Sequence, residues 1–209
     1  GLRTLGKPAD FARKYAKEGA DELLYIDTVA SLYGRNQLEG LIDETASSAF
    51  IPFCVAGGIN SEAEVDRLFR AGADRVAVNT SALKQPQLIE DIAGCGGSQC
   101  ITVSIEAKRA NGGWQAYTDC GRNPSGHDAL IWAERAVERG AGEILVTSID
   151  QDGTRRGPDF DLLRALHALR LDVPVLYSGG IRLQDAAEVS RYTDGMVIGA
   201  SLHYGDCTI

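Results

Sequence analysis

The stretch "GADELLYID", residues 19–27, decides the fold, because it returns as "GAGEILVTSID" at residues 140–150. In each copy a Gly-Ala pair and a glutamate lead into a short apolar run that closes on an aspartate. The two copies start 121 residues apart. "IPFCVAGGI" (51–59) and "VPVLYSGGI" (173–181) follow at a spacing of 122, and "VAVNTS" (76–81) and "VIGASL" (197–202) at 121. Three successive matches at nearly one spacing read as an internal duplication.

Working outward, strands are predicted at Leu23–Asp27, Ile51–Val55, Arg75–Asn79, Cys100–Glu106, Glu143–Ser148, Val173–Ser178 and Met196–Gly199. Their near-continuous apolar character suits parallel strands covered on both faces. Amphipathic helices lie between them. "SEAEVDRLFRAGA" carries a capping box, Ser61 with Glu64, ahead of the stripe Val65, Leu68 and Phe69. "DFDLLRALHALR" repeats the pattern with Leu162, Leu163, Leu166 and Leu169. The alternation predicts an α/β fold. Two copies of a four-strand half predict a (β/α)8 TIM barrel built from two half-barrels, about 1–95 and 96–209, in a single domain. The strand holding Glu106 opens the second half, and its counterpart would precede residue 1. On this reading the barrel is truncated, with its first strand and last helix missing.

Composition narrows the function. The chain has 209 residues, is 44% hydrophobic and 24% charged, and carries a formal net charge of -8. That balance speaks against a nucleic-acid footprint, and no apolar run is long enough to span a membrane. With no signal peptide read at its start, a cytoplasmic protein is expected. Five cysteines (54, 95, 100, 120 and 207) make an odd count without a C-x-x-C pair, so reduced thiols are expected and no zinc site. His127, His167 and His203 read as surface or packing residues. No metal and no cofactor are implied.

In a barrel of this class the C-terminal strand ends carry the chemistry. Those positions hold Asp27, Ala56–Gly58, Asn79-Thr80, Glu106, Asp150 with Asp152, Ser178–Gly180 and Ala200-Ser201. One strand-end acid could merely cap a helix or pair with a lysine; several acids with two glycine pairs read as a site. Gly57-Gly58 and Gly179-Gly180 let an anion approach backbone N–H groups, although a lone pair could serve only a tight turn. Asn79-Thr80 and Ala200-Ser201, each on the next strand, would complete two cradles. The expected substrate carries a phosphate at each end.

"GSQCITVSIEAKR" (97–109), "GAGEILVTSIDQDGT" (140–154), "PFCVAGGI" (52–59), "ADRVAVNTSA" (73–82) and "PVLYSGGI" (174–181) together resemble the cyclase subunit of imidazole glycerol phosphate synthase, the HisF family. The resemblance covers nearly the whole chain. It implies a lyase of histidine biosynthesis that takes ammonia and a bis-phosphorylated formimino aminoimidazole ribonucleotide to imidazole glycerol phosphate. It implies a HisH-type glutaminase docked as a heterodimer at the N-terminal barrel face, sending ammonia through the barrel. Residue by residue, it makes Glu106 the general acid, where the family has aspartate. Asp152 and Gly153 fall on a substrate- and phosphate-contacting position, and Asp27, Asn79 and Thr147 on site-lining positions. Glu22, Arg75 and Glu143 match a charged ammonia gate, with arginine where the family has lysine; ion pairing that closes the barrel floor is compatible with this. The general base would belong to the missing strand.

The glutamate at 106 and "DTVASLYGRN" (27–36) are also similar to a paralogous branch from surface-polysaccharide clusters, which serves the making of acetamidino sugars. A non-catalytic barrel that docks the glutaminase is the third reading. Finally, "RANGGWQAYTDCGRNPSG" (109–126) predicts a small ribbon over the rim, turning at Gly112-Gly113, with Trp114 and Tyr117 packing it down or stacking on substrate and Cys120 lining the site.

Overall fold

The computed structural model describes residues 6–28 and 38–209. Of the stretch 27–36 quoted above, only Asp27 and Thr28 lie among them. In chain order the elements begin with α1 (Pro8–Glu18), β1 (Leu23–Ile26), α2 (Leu38–Ala46), β2 (Phe53–Ala56), α3 (Glu62–Arg70), β3 (Arg75–Val78), α4 (Thr80–Lys84) and α5 (Gln87–Gly96). They continue with β4 (Ile101–Ala110), β5 (Gly113–Thr118), β6 (Asn123–Asp128), α6 (Ala129–Glu138), β7 (Glu143–Ser148) and α7 (Phe160–Leu169). Last come β8 (Val175–Ser178), α8 (Ala186–Val189), β9 (Gly195–Val197) and α9 (Ala200–His203). The chain divides into two compact units. One holds the chain up to Val76 together with Gly199–Ile209, and the other holds Ala77–Ile198.

In the first unit α1 starts on a proline in its first turn and stops at Gly19, whose left-handed backbone (φ 104°) donates to the Tyr15 and Ala16 carbonyls. It buries Ala9, Ala12 and Tyr15. The Tyr15 hydroxyl lies 2.8 Å from His203 Nδ1 on α9, and Phe11 meets the same ring edge-on, so His203 is a packing residue. Strands β1 and β2 pair in parallel from Leu23↔Phe53 to Ile26↔Ala56, and β3 follows β2 in the sheet. The capping box before α3 forms only in part. Ser61 is extended but makes no side-chain cap bond, and Glu64 accepts from the Asn60 N–H at 2.8 Å instead.

In the second unit the order is β3-β4-β7-β8-β9, with β7, β8 and β9 parallel and β4 parallel to β7. Helices α6 and α7 start at Asp128 and Asp159, each accepting two N–H bonds of its first turn. Leu162, Leu163 and Leu166 are buried as the stripe predicts, while Leu169 is half-buried. Parallel strands that lead into helices, arranged twice over, are the α/β architecture of the (β/α)8 barrel class.

The duplication is visible atom by atom. Phe53 donates its N–H to Asp74 Oδ2 at 2.8 Å and accepts from the Asp74 N–H at 2.9 Å. In the other unit Val175 does the same with Asp194, at the same two distances. The carbonyls of Pro52 and Pro174 likewise accept from Leu23 and Ile144. The third sequence match needs a correction: Asn79 and Gly199 are the residues with matching backbone (φ -129°, ψ -83° and φ -116°, ψ -74°), which makes that spacing one residue shorter than the letters suggested. Asp74→Ala or Asp194→Ala removes one charged acceptor from a strand-opening N–H. Each should cost about 1 kcal/mol in urea denaturation.

Two sequence expectations about the ribbon change. β4 does not stop at Glu106 but runs ten residues to Ala110, pairing antiparallel with β5. The turn is Asn111-Gly112, both with positive φ (50° and 82°), rather than Gly112-Gly113. Asn-Gly is the pair that a two-residue hairpin of this twist favours. A further strand, β6, pairs with β5.

Candidate active site

The register of the second unit sets Glu106 opposite Thr147, Thr147 opposite Ser178 and Ser178 opposite Val197. Side chains opposed in a parallel sheet share a face. The flanking row, Ile105, Val146 and Tyr177, points the other way and is at most 1% exposed. Tyr177 shows what lies there, because its hydroxyl accepts the N–H of Asp159 at the start of α7. Burial against that helix pushes the Tyr177 hydroxyl up to about 12. Glu106, Thr147 and Ser178 therefore face away from the helices, all half-buried. Below them on the same face lie Ser104 and Leu145, and below those Thr102, which donates to buried Glu143 at 2.8 Å.

Glu106 is held, not loose. Asn79 Nδ2 and the Gly121 N–H both donate to Oε2, at 2.8 and 2.9 Å. Burial raises the carboxyl pKa, and the charge of Asp119 adds to the rise. The two hydrogen bonds and Arg122 pull it back without cancelling it. An acid that keeps its proton longer than usual is suited to proton donation. Asn79 also donates to the Tyr117 carbonyl at 3.2 Å, while its Oδ1 is buried with no partner among the described residues. Thr80 Oγ1 accepts the Asp119 N–H at 3.0 Å. Cys120 follows in the same turn. Burial and the neighbouring acids raise its thiol pKa, which suits a lining residue and not a nucleophile.

The glycine pairs repeat in conformation. Gly57 and Gly58 have φ 109° and 69°, and Gly179 and Gly180 have 106° and 74°. A Cβ on Gly57 would stand 2.2 Å from the Asp27 carbonyl oxygen, and one on Gly179 2.6 Å from that of Ser148. The first glycine of each pair is thus demanded by the preceding strand end, whatever else the pair does. Ala200 and Ser201 open α9 in the first unit.

The remaining expected residues fall as follows. β7 ends at Ser148, and Asp150 and Asp152 lie in the turn beyond it, Asp150 Oδ2 taking the Arg109 N–H. Asp152 and Gly153 are exposed. Glu22 and Arg75, at the starts of their strands, pair at 3.9 Å. Sequence reading missed Asp159. It accepts from Arg109 Nη2 (2.9 Å) and Trp114 Nε1 (3.0 Å) while capping α7, and the Arg109 guanidinium stacks 4.8 Å over the Trp114 ring. This cluster pins the ribbon beside a cavity of about 530 Å³ lined by Arg109, Asp150, Gln151 and Pro158–Asp161. The signal that could have found it is an aspartate just before an amphipathic run. Asp159→Ala strips a helix cap and takes the acceptor from the Trp114 indole, while Arg109 keeps its pair with Asp161 at 3.1 Å. It should cost about 2–3 kcal/mol by chemical denaturation.

Residues 1–208 match the model of a family described as histidine biosynthesis protein. The chain belongs to this family. Among curated relatives it is similar to imidazole glycerol phosphate synthase subunit HisF of Legionella pneumophila, 52% identical over 182 residues, covering 87% of this chain and 85% of the relative. It is also similar to the protein of the same name from Dehalococcoides mccartyi (strain ATCC BAA-2266 / KCTC 15142 / 195), 42% identical over 212 aligned residues, covering 100% of this chain and 83% of the relative. Among the described residues of this family member, no helix is long and apolar enough to cross a membrane.

Proposed function

We propose that this chain is the cyclase subunit of imidazole glycerol phosphate synthase, acting in histidine biosynthesis. It joins ammonia to a bis-phosphorylated formimino aminoimidazole ribonucleotide and releases imidazole glycerol phosphate and an aminoimidazole carboxamide ribonucleotide. The observation that carries this reading is Glu106, raised in pKa and held by two donors on one oxygen in a polar row that faces away from the helices. Release of the carboxamide product needs a proton on the departing nitrogen, and a carboxyl whose hold on its proton is raised by burial can supply it. Asn79 steadies that carboxyl, and its Oδ1, without a partner among the described residues, is the group assigned to a substrate N–H. Gly57, Gly58, Asn79, Thr80, Gly179, Gly180, Ala200 and Ser201 are the residues assigned to phosphate binding. Asp27, Thr147, Ser178, Asp152 and Gly153 are the further substrate contacts. A glutaminase partner supplies the ammonia in this reading. It docks where the strands begin, and Glu22, Arg75 and Glu143 are the charged groups assigned to ammonia entry.

The test is turnover of the bis-phosphate by the purified chain with ammonium salt in place of the glutaminase, both products being followed by chromatography. Formation of both supports the reading. A folded chain that forms neither overturns it.

A further inference from the structure

Residues 119–121 form an unusual turn. Asp119, Cys120 and Gly121 have successive positive φ values of 55°, 58° and 73°. Two of the three are not glycine, and each such residue in the left-handed region costs on the order of 1 kcal/mol. Such a conformation persists where its surroundings over-determine it, and the surroundings here do so. The Asp119 N–H donates to Thr80 Oγ1 at 3.0 Å. Asp119 Oδ2 accepts from Thr118 Oγ1 at 3.1 Å and from Asn123 Nδ2 at 2.8 Å. The Arg122 N–H closes the turn on the Thr118 carbonyl at 3.1 Å. The product of all this is one N–H, that of Gly121, aimed at Glu106 Oε2.

We propose that Asp119 is a positioning residue for Glu106: the left-handed turn it opens delivers the Gly121 N–H to the Glu106 carboxyl, and its own carboxylate is fixed within electrostatic range of that carboxyl. This rests on the reading of Glu106 as proton donor. The charges support it. Hydrogen bonds from Asn123 and Thr118, with Lys84 on α4 and Arg122 nearby, hold the Asp119 carboxyl below its ordinary range. Asp119 therefore stays ionised and raises Glu106. Two carboxyls whose environments drive their proton affinities apart are a recurring arrangement for acid catalysis. The other groups facing Glu106 are Arg122, which opposes Asp119, and Cys120, whose thiol the two acids raise. Lys108, on the same strand, has its ammonium over the Tyr117 ring.

The experiment titrates the Glu106 side-chain carbon by ¹³C NMR in the ligand-free chain, with Glu106→Gln assigning the signal. In Asp119→Asn the midpoint should fall by about half a pH unit or more, the reach of one charge across a partly wet site. Asp119→Glu should restore much of it. Asp119→Gly guards against a misfolded variant, because glycine takes the left-handed backbone without strain while removing the charge; its midpoint should fall as well. With ammonium as nitrogen source, the pH at which kcat declines should move down with the midpoint while KM changes little. A Glu106 midpoint unchanged in folded Asp119→Asn and Asp119→Gly overturns the proposal. The titration needs no substrate, so its outcome is separate from whether the wild-type chain turns over the bis-phosphate.

Discussion

Glu106→Gln should lower ammonium-driven turnover by ~10²–10⁴-fold, the range that one positioned proton donor supplies, and should leave the protein more stable than wild type once the pH rises above the folded pKa of Glu106. The two halves of this result have one cause. Burial holds the folded pKa of Glu106 above its unfolded value. Such a group adds to stability below its unfolded pKa and loses that contribution as pH rises through the folded pKa. Above that point the ionised carboxylate is a burden on the fold, which an amide of the same shape does not carry. The Asn79 and Gly121 donors can still bond the amide oxygen. Thermal unfolding of both proteins across pH should show the gain of the glutamine variant fading as pH falls. A variant that loses both activity and stability at every pH would instead mark Glu106 as a structural residue.

Gly57→Ala and Gly179→Ala should each destabilise the protein by about 3 kcal/mol or more, since a left-handed backbone and a direct backbone clash add together. The new methyl would meet the carbonyl of Asp27 at 2.2 Å or that of Ser148 at 2.6 Å, and the Ser148 oxygen already accepts the Gln151 and Asp152 N–H groups of the following turn. The Asp27 N–H is bonded to the Ala56 carbonyl, so this corner is tied on both sides. Urea denaturation measures the loss. A change below about 1 kcal/mol in both variants would show that the strand ends relax, and would remove the close-packing reason for the first glycine of each pair.

Much of this was readable from the letters. The strand read at Cys100–Glu106 announced an acid beside a core strand, although the strand runs on past it to Ala110, and the paired "AGG" and "SGG" announced equal backbones in both halves. What stayed hidden has physical reasons. β6, "NPSGHD", is almost wholly exposed and holds both proline and glycine, so it carries no period-2 signal and reads as loop. The extension of β4 to Ala110 depends on its partner β5 and not on its own pattern. Asp119 gave no cue, because its role comes from a left-handed turn that Thr80 and Asn123 stabilise from distant or unpatterned positions. Asp159 was missed; an aspartate ahead of an amphipathic run signals at most a helix cap, and its bond to the Trp114 indole needed the ribbon to be placed first.

The most direct measurement of the central claim, that a protonated Glu106 drives the cyclase step, is the pH dependence of turnover at constant free ammonia. The expected result is a rate that declines as pH rises through the elevated Glu106 pKa, with no such decline in the residual rate of Glu106→Gln. A wild-type rate that climbs steadily with pH, or a decline that survives in Glu106→Gln, would contradict it.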